Sequence, residues 1–297
     1  MNVAATPREF AVDTPFGRLC GLRLGLPAAP RVLALHGWLD NAASFIPLAA
    51  HLGEVDLVAL DLPGHGASAH LPPAADYTVV SAARAAFAAA DALGWDCFHV
   101  VGHSLGGAIA SVMAAAMPQR ITRLALIEAL GALAEDETRT AARLQEAFAA
   151  NAQRDRGRLR VFADIATAVR ARMQSNGLSQ TAARLLVERG IAPVPASGDG
   201  HDVQQAGYVW RSDPRLTLPT AVRMSEAQVQ DLVAAIACPV RVIYAQPAQW
   251  YFTDELRRQR ADLLRDGDVI RIDGSHHLHM EAPAGVAAAL GAFLRAR

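Results

Sequence analysis

The short apolar run Phe98-His99-Val100-Val101 leads without a break into Gly102-His103-Ser104-Leu105-Gly106-Gly107, and an apolar stretch continues to Met117, where Pro118 stops it. That order is strand, sharp turn, helix, and it satisfies G-x-S-x-G in the setting that gives the pattern chemical meaning. A serine on such a turn stands at the carboxyl edge of a sheet in a strained backbone conformation, beside a helix N-terminus that favours developing negative charge. Gly102 and Gly106 are small because neighbouring backbone crowds the turn. Ser104 is therefore the candidate nucleophile; the bland alternative is a glycine-rich helix start with an incidental serine.

A turn of this kind needs a parallel sheet around it. Residues 32–35, 56–60, 98–101 and 124–127 are apolar runs too short for buried helices, and they alternate with helical patterns over 41–52, 78–93 and 105–117. This is the βαβ rhythm of a sheet covered on both faces, an α/β fold. Before it, residues 8–24 alternate loosely around Thr14-Pro15-Phe16-Gly17 and predict an opening antiparallel hairpin. Between 131 and 223 the rhythm stops. Only helical patterns are expected there, over 135–150, 159–173 and 179–189, followed by a Pro- and Gly-rich passage over 192–200. Ser225 and Gln228 then form a capping box for a helix to Ile236. Strand 240–244, helix 253–264, strand 269–272 and helix 284–295 resume the alternation. The expected organisation is a core of residues 1–130 and 224–297 with a helical cap, 131–223, lying over the strand ends.

The bulk properties fit a small-molecule enzyme. With 297 residues, 52% of them hydrophobic, the chain can bury a sizeable core, and a formal net charge of −1 offers no basic surplus for nucleic acid or an anionic membrane. No apolar stretch approaches the ~18–20 residues that span a bilayer. Cys20, Cys97 and Cys238 lie far apart with neither disulfide nor metal-knuckle spacing, and the first ten residues lack an apolar signal region, so a cytoplasmic location is expected. All 28 basic residues are arginine, the bias of a GC-rich bacterial genome. The absence of lysine excludes Schiff-base, pyridoxal and P-loop chemistry built on a lysine of this chain.

Together these features resemble the α/β-hydrolase superfamily over nearly the whole chain. Leu35-His36-Gly37-Trp38 resembles its H-G-x oxyanion motif, and Asp61-Leu62-Pro63-Gly64-His65-Gly66-Ala67-Ser68 its D-x-P-G-H-G-x-S turn, both in the expected order before the nucleophile. The chemistry requires two preorganised N–H donors aimed at a tetrahedral oxyanion, and the resemblance assigns them to the backbone of Trp38 and Leu105. His36 and His65 sit in turn motifs where a histidine more often makes structural hydrogen bonds than acts as base.

The resemblance puts the base after the last strand, in Asp273-Gly274-Ser275-His276-His277-Leu278-His279-Met280-Glu281-Ala282-Pro283. Counting back from Pro283 selects His276, with His277 as runner-up. The three histidines also invite a metal reading, but they lack a nearby cysteine and the i, i+4 spacing of a helical zinc site; no metal and no cofactor is expected. Relatives commonly carry the acid just after the strand here at 240–244, where this chain reads Ala245-Gln246-Pro247-Ala248. The next carboxylates, Asp254 and Glu255, fall in a predicted first helical turn, where acids are common for dipole reasons. The other position the superfamily uses is the end of the preceding strand, and there Glu128 follows a fully apolar run, where an unpartnered charge would be costly. Its placement resembles that in haloalkane dehalogenases. The expected triad is Ser104, His276 and Glu128, with Asp254 the alternative acid.

A serine nucleophile separates the chain from dehalogenases and epoxide hydrolases, which use aspartate. Leu126-Ile127-Glu128-Ala129-Leu130-Gly131, Trp210-Arg211-Ser212-Asp213-Pro214-Arg215-Leu216 and Arg223-Met224-Ser225-Glu226-Ala227-Gln228 resemble the serine hydrolase-like branch. Three functions follow: an ester or thioester hydrolase for a small-to-medium acyl substrate, a carbon–carbon bond hydrolase or perhydrolase with the same triad, or a binding module that keeps the fold without turnover. His103, Trp210 and Trp250 are weak candidates for substrate contact; Phe148, Phe162, Met173 and Tyr208 of the cap are more often packing residues at their spacing.

Overall fold

A computed structural model describes residues 6–153, 160–196 and 206–296. The hairpin forms as β1 (Arg8–Thr14) and β2 (Gly17–Arg23), paired antiparallel with Thr14 opposite Gly17. Then follow β3 (Arg31–Leu35), α1 (Ile46–Leu52), β4 (Asp56–Leu60), α2 (Val79–Ala92), β5 (Phe98–His103), α3 (Leu105–Ala116) and β6 (Ile121–Ile127). Local chemistry sets these bounds. Asn41 caps a 3₁₀ turn that leads into α1, Thr78 and Ser81 form a reciprocal capping box on α2, and α3 ends just before Pro118.

Next come α4 (Thr140–Gln153), α5 (Ile165–Asn176), α6 (Gln180–Gly190), β7 (Ile191–Val194), β8 (Gly207–Trp210) and α7 (Glu226–Ala234), and the chain closes with β9 (Val240–Gln246), α8 (Asp254–Ala261), β10 (Gly267–Asp273), α9 (Leu278–Glu281) and α10 (Pro283–Arg295). The strand order is β1-β2-β4-β3-β5-β6-β9-β10, parallel from β4 onward and antiparallel at the β1–β2–β4 edge. Val32, Leu33, Val100, Val101, Leu124, Leu126, Val242 and Ile243 are all sealed from solvent, and alternate residues serve two apolar layers, one on each face. Full burial of one such Val or Leu contributes roughly 1.5–3 kcal/mol, so the centre of the sheet is the rigid part of the molecule.

The stretch between β6 and β9 differs from the helices-only expectation in two ways. The helix expected over 159–173 begins at Ile165, because Asp164 caps it by accepting from the Thr167 N–H. Ahead of it Phe162 exchanges both backbone hydrogen bonds with Tyr208, each 2.8 Å, beside the two-stranded ribbon β7–β8. Gly207 permits this, since a Cβ there would lie 2.4 Å from the Phe162 carbonyl oxygen. The Pro- and Gly-rich passage is described only to residue 196. Phe162, Val169, Leu186, Val187 and Ile191 form a third apolar cluster, which Met280 of the core joins. Among the described residues no helix is long and apolar enough to cross a membrane.

Candidate active site

Ser104 stands between β5 and α3 with φ 52° and ψ −115°. A non-glycine residue there costs on the order of 1–3 kcal/mol and persists only when its surroundings over-determine it. They do: the Ser104 N–H donates to Ile127 O at 2.9 Å, and its carbonyl accepts from Gly107 and Ala108 at 2.9 and 3.1 Å. A Cβ on Gly102 would stand 2.4 Å from Gly106 O, and one on Gly106 would stand 1.9 Å from Leu35 O. Both glycines of the pattern are therefore required, and the second brings the start of α3 against the His36–Gly37–Trp38 turn. The two candidate oxyanion donors, the backbone N–H groups of Trp38 and Leu105, lie on these two packed segments. The indole of Trp38 donates in turn to Leu216 O at 2.9 Å.

Glu128 follows β6 with φ 56°, its N–H bonded to Ile243 O at 2.9 Å. Its carboxylate is buried and fully engaged. Oε1 accepts from the Ala245 N–H at 2.6 Å and from Arg257 Nη2 at 3.0 Å; Oε2 lies 3.3 Å from the same nitrogen and 3.2 Å from His276 Nδ1. A carboxylate oxygen accepts, so Nδ1 of His276 is the donor in this contact. His276 sits in the loop after β10, half-buried, while the Ser104 hydroxyl makes no hydrogen bond among the described residues. Such contacts are often loose before substrate arrives.

The competing assignments separate on geometry. Asp254 is exposed in the first turn of α8, 3.9 Å from Arg257, and does not reach His276. His277 is buried, its Nε2 3.5 Å from Asp40. His279 is sealed, and burial followed by the His277 charge pushes it down to about 3. His36 accepts from the Leu62 N–H at 3.0 Å through Nε2 and donates through Nδ1 to Gly37 O at 2.8 Å, and His65 donates to Pro63 O at 3.1 Å. Burial and then the His36 charge bring His65 down to about 3, so both turn histidines serve structure.

The three candidates for substrate contact stand in different surroundings. His103 has no solvent exposure and donates through Nε2 to the His276 carbonyl at 2.9 Å, which ties it to the loop after β10. Burial, and then the neighbours His279, His276 and His277, hold it well below the usual imidazole range. His103 closes the central strand β5, directly before the turn. Trp210 packs edge-on against Phe162 at 5.3 Å in the inserted ribbon, and Trp250 is 87% exposed in the loop after β9.

Four residues of this neighbourhood escape a sequence reading: Arg257, Asp40, Arg172 and Arg189. Arg172 of α5 pairs with buried Asp40, and Arg189 of α6 grips both oxygens of Asp61 at 2.7–3.0 Å. Asp61 also accepts from the Ala42 and Ala67 N–H groups. Asp213 accepts from Tyr77 at 2.8 Å and its N–H donates to Gly64 O, which accounts for the Trp210–Leu216 motif. Only the D-x-P-G-H-G-x-S turn, whose aspartate must have a partner, hinted at these ties. Among the described residues no group of three or more His, Cys, Asp or Glu is arranged to hold a metal ion.

A family model described as alpha/beta hydrolase fold matches residues 30–184. A serine hydrolase-like protein of Danio rerio is 26% identical over 97% of this chain and 88% of its own length. A crystal structure of a hypothetical protein from Pseudomonas aeruginosa PAO1 is 37% identical, with a TM-score of 0.88 over 96% of this chain and 98% of that one. The thioesterase domain from the curacin biosynthetic pathway shares the fold, with a TM-score of 0.81 at 23% identity over 95% of this chain and 98% of that domain.

Proposed function

Because the chain belongs to the alpha/beta hydrolase fold family, in its serine hydrolase-like branch, we propose that it cleaves a carboxylic ester or thioester of a small-to-medium acyl substrate through Ser104, His276 and Glu128. The observation that carries this reading is the 3.2 Å contact between His276 Nδ1 and a Glu128 carboxylate otherwise saturated with donors, one strand-end away from Ser104 on its strained turn.

His276 Nε2 takes the Ser104 proton as Oγ attacks the acyl carbon, and Glu128 stabilises the imidazolium. The amides of Trp38 and Leu105 receive the tetrahedral oxyanion. Collapse expels the alcohol or thiol, protonated by His276, and leaves an acyl-Ser104 ester. Water, deprotonated by His276, then attacks that ester and releases the acid. Helices α4–α6 and the β7–β8 ribbon act as the cap over this site. Its attachment through Arg172–Asp40, Arg189–Asp61 and Trp38–Leu216, in which Asp40, Asp61 and Trp38 lie on loops at the strand ends, supports that role. The unpaired thiols of Cys20, Cys97 and Cys238 support a reducing, cytoplasmic setting.

A fluorophosphonate probe together with p-nitrophenyl ester and acyl-thioester panels tests the reading. Wild type is expected to label and turn over, and Ser104→Ala to do neither. Labelling that persists in Ser104→Ala, or a folded wild type that neither labels nor turns over any ester, thioester or lactone, overturns it; the second result favours a binding module.

A further inference from the structure

Arg257 is one of the most deeply buried large side chains of the molecule, with 1% of its surface exposed. It rises from α8 between two aromatic faces, its guanidinium carbon 4.5 Å from the Tyr244 ring centre and 5.5 Å from that of Phe252. Nη1 donates to Ala245 O at 2.9 Å, and Nη2 reaches Glu128 Oε1 at 3.0 Å and Oε2 at 3.3 Å. The Ala245 N–H meets the same Oε1. With Oε1 held by two donors, the carboxylate cannot turn about its own axis, and Oε2 is left pointing at His276.

Resting on the triad assignment above, we propose that Arg257 is a positioning residue for the reaction, acting on Ser104 only through Glu128 and His276. Its chemistry suits that task. A guanidinium stays charged when buried and offers a rigid planar fork, whereas an ammonium is a single point that cannot span Ala245 O and both Glu128 oxygens. Its positive charge opposes that of the imidazolium forming on His276, so it does not add driving force to proton transfer. Its contribution lies in holding Glu128 in one orientation. The effect therefore falls on kcat and on probe labelling, not on substrate binding.

A purely structural tie between α8 and β9 is the competing explanation, and the protein contains its control. Arg260, one turn later on α8, is equally buried but binds Leu130 O, Ala132 O and Glu226, without touching Glu128. The experiment measures fluorophosphonate labelling rate, kcat and KM on a p-nitrophenyl ester, and melting temperature for Arg257→Met, Arg257→Lys, Arg260→Met, Glu128→Gln and Glu128→Gln/Arg257→Met. Arg257→Met is expected to lower kcat and labelling about 10- to 100-fold with KM within about threefold. In the Glu128→Gln background the same change is expected to cost less than about threefold, because contacting residues on one path are not additive. Arg257→Lys, which keeps the charge and removes the fork, is expected to lose about three- to tenfold and serves if the methionine variant does not fold. Arg260→Met is expected to lower the melting temperature while leaving labelling per folded molecule unchanged. Equal loss from Arg257→Met in both backgrounds, full activity in Arg257→Lys, or losses in Arg260→Met that match those of Arg257→Met overturn the proposal. If Glu128→Gln itself leaves labelling unchanged, the triad reading fails instead.

Discussion

Two neighbouring histidines each face a buried carboxylate that is paired with an arginine, and the two sets behave differently. His276 meets Glu128 at 3.2 Å, and Glu128 is held by Arg257 from α8 of the core. His277 meets Asp40 at 3.5 Å, and Asp40 is held by Arg172 from α5 of the insertion. The His276 side chain keeps 23% of its surface exposed and His277 only 5%. Both Glu128 oxygens have hydrogen-bond donors, whereas Asp40 Oδ2 has no hydrogen-bond partner among the described residues. The same charge pattern thus appears once where an imidazole meets solvent, and once where it is sealed. The difference teaches that solvent access and orientation, not the presence of a carboxylate, distinguish the candidate base from its sealed neighbour.

Substitution at the two histidines tests this contrast most severely. His276→Ala is expected to lower kcat about 10⁴-fold or more, by analogy with the loss of a triad base. His277→Gln, assayed for turnover on the same ester, is expected to stay within about tenfold; equal losses from the two would dissolve the contrast. Glu128→Gln should cost about 10³- to 10⁴-fold in kcat, since the amide no longer fixes the Nδ1–H tautomer. Asp40→Asn, in contrast, is expected to lower stability by about 3 kcal/mol in urea unfolding while changing activity per folded molecule little, because it strands Arg172.

Acid titration distinguishes the sealed side in a second way. His65 and His279 are brought down to about 3 by burial and, secondarily, by a neighbouring histidine (His36 and His277 respectively), and His103 is lowered well below the usual range by burial and then its neighbours His279, His276 and His277. A histidine with a depressed folded pKa binds its proton more readily in the unfolded chain. Its stabilising contribution is complete above the unfolded value, about 6.5, and is lost as pH falls toward about 3. Burial alone would raise Asp40, but contact with His277 and the charges of His277, Arg172 and His103 outweigh it and hold the carboxyl well below its usual range. Its contribution is present above about 4 and is lost at still lower pH. Unfolding free energy measured by denaturant between pH 7 and 4 is expected to fall, and His279→Gln to make that fall shallower by up to about 1.4 kcal/mol per pH unit.

Legibility in the sequence followed the range of the interactions. The Ser104 turn, the Gly102 and Gly106 requirement, the central strands and the capping box at Ser225 arise from residues within a few positions of one another, and all stand where the pattern puts them. Glu128 was readable because a lone charge ending an apolar strand needs a partner, although its contact with His276 spans 148 positions. Arg257 was not readable: Asp254-Glu255-Leu256-Arg257-Arg258-Gln259-Arg260 looks like a solvated amphipathic helix, and only the fold shows that two of its arginines point inward. The burial of His103 was not readable either, because its place beside the candidate nucleophile draws attention first, while the strand end encloses it. The β7–β8 ribbon escaped notice because strands of four residues leave little periodicity.

The hydrogen bond from the Trp38 indole to Leu216 O joins one residue to two jobs. Its amide is the candidate oxyanion donor, and its side chain is tied to the 3₁₀ turn at Pro214–Thr217. In evolutionary terms that turn is then not an interchangeable part. Any replacement for that turn must also supply a carbonyl for the indole, or the Trp38 segment loses this tether. Changes confined to the outer side of α4, whose buried residues number only Ala147, leave that tie untouched.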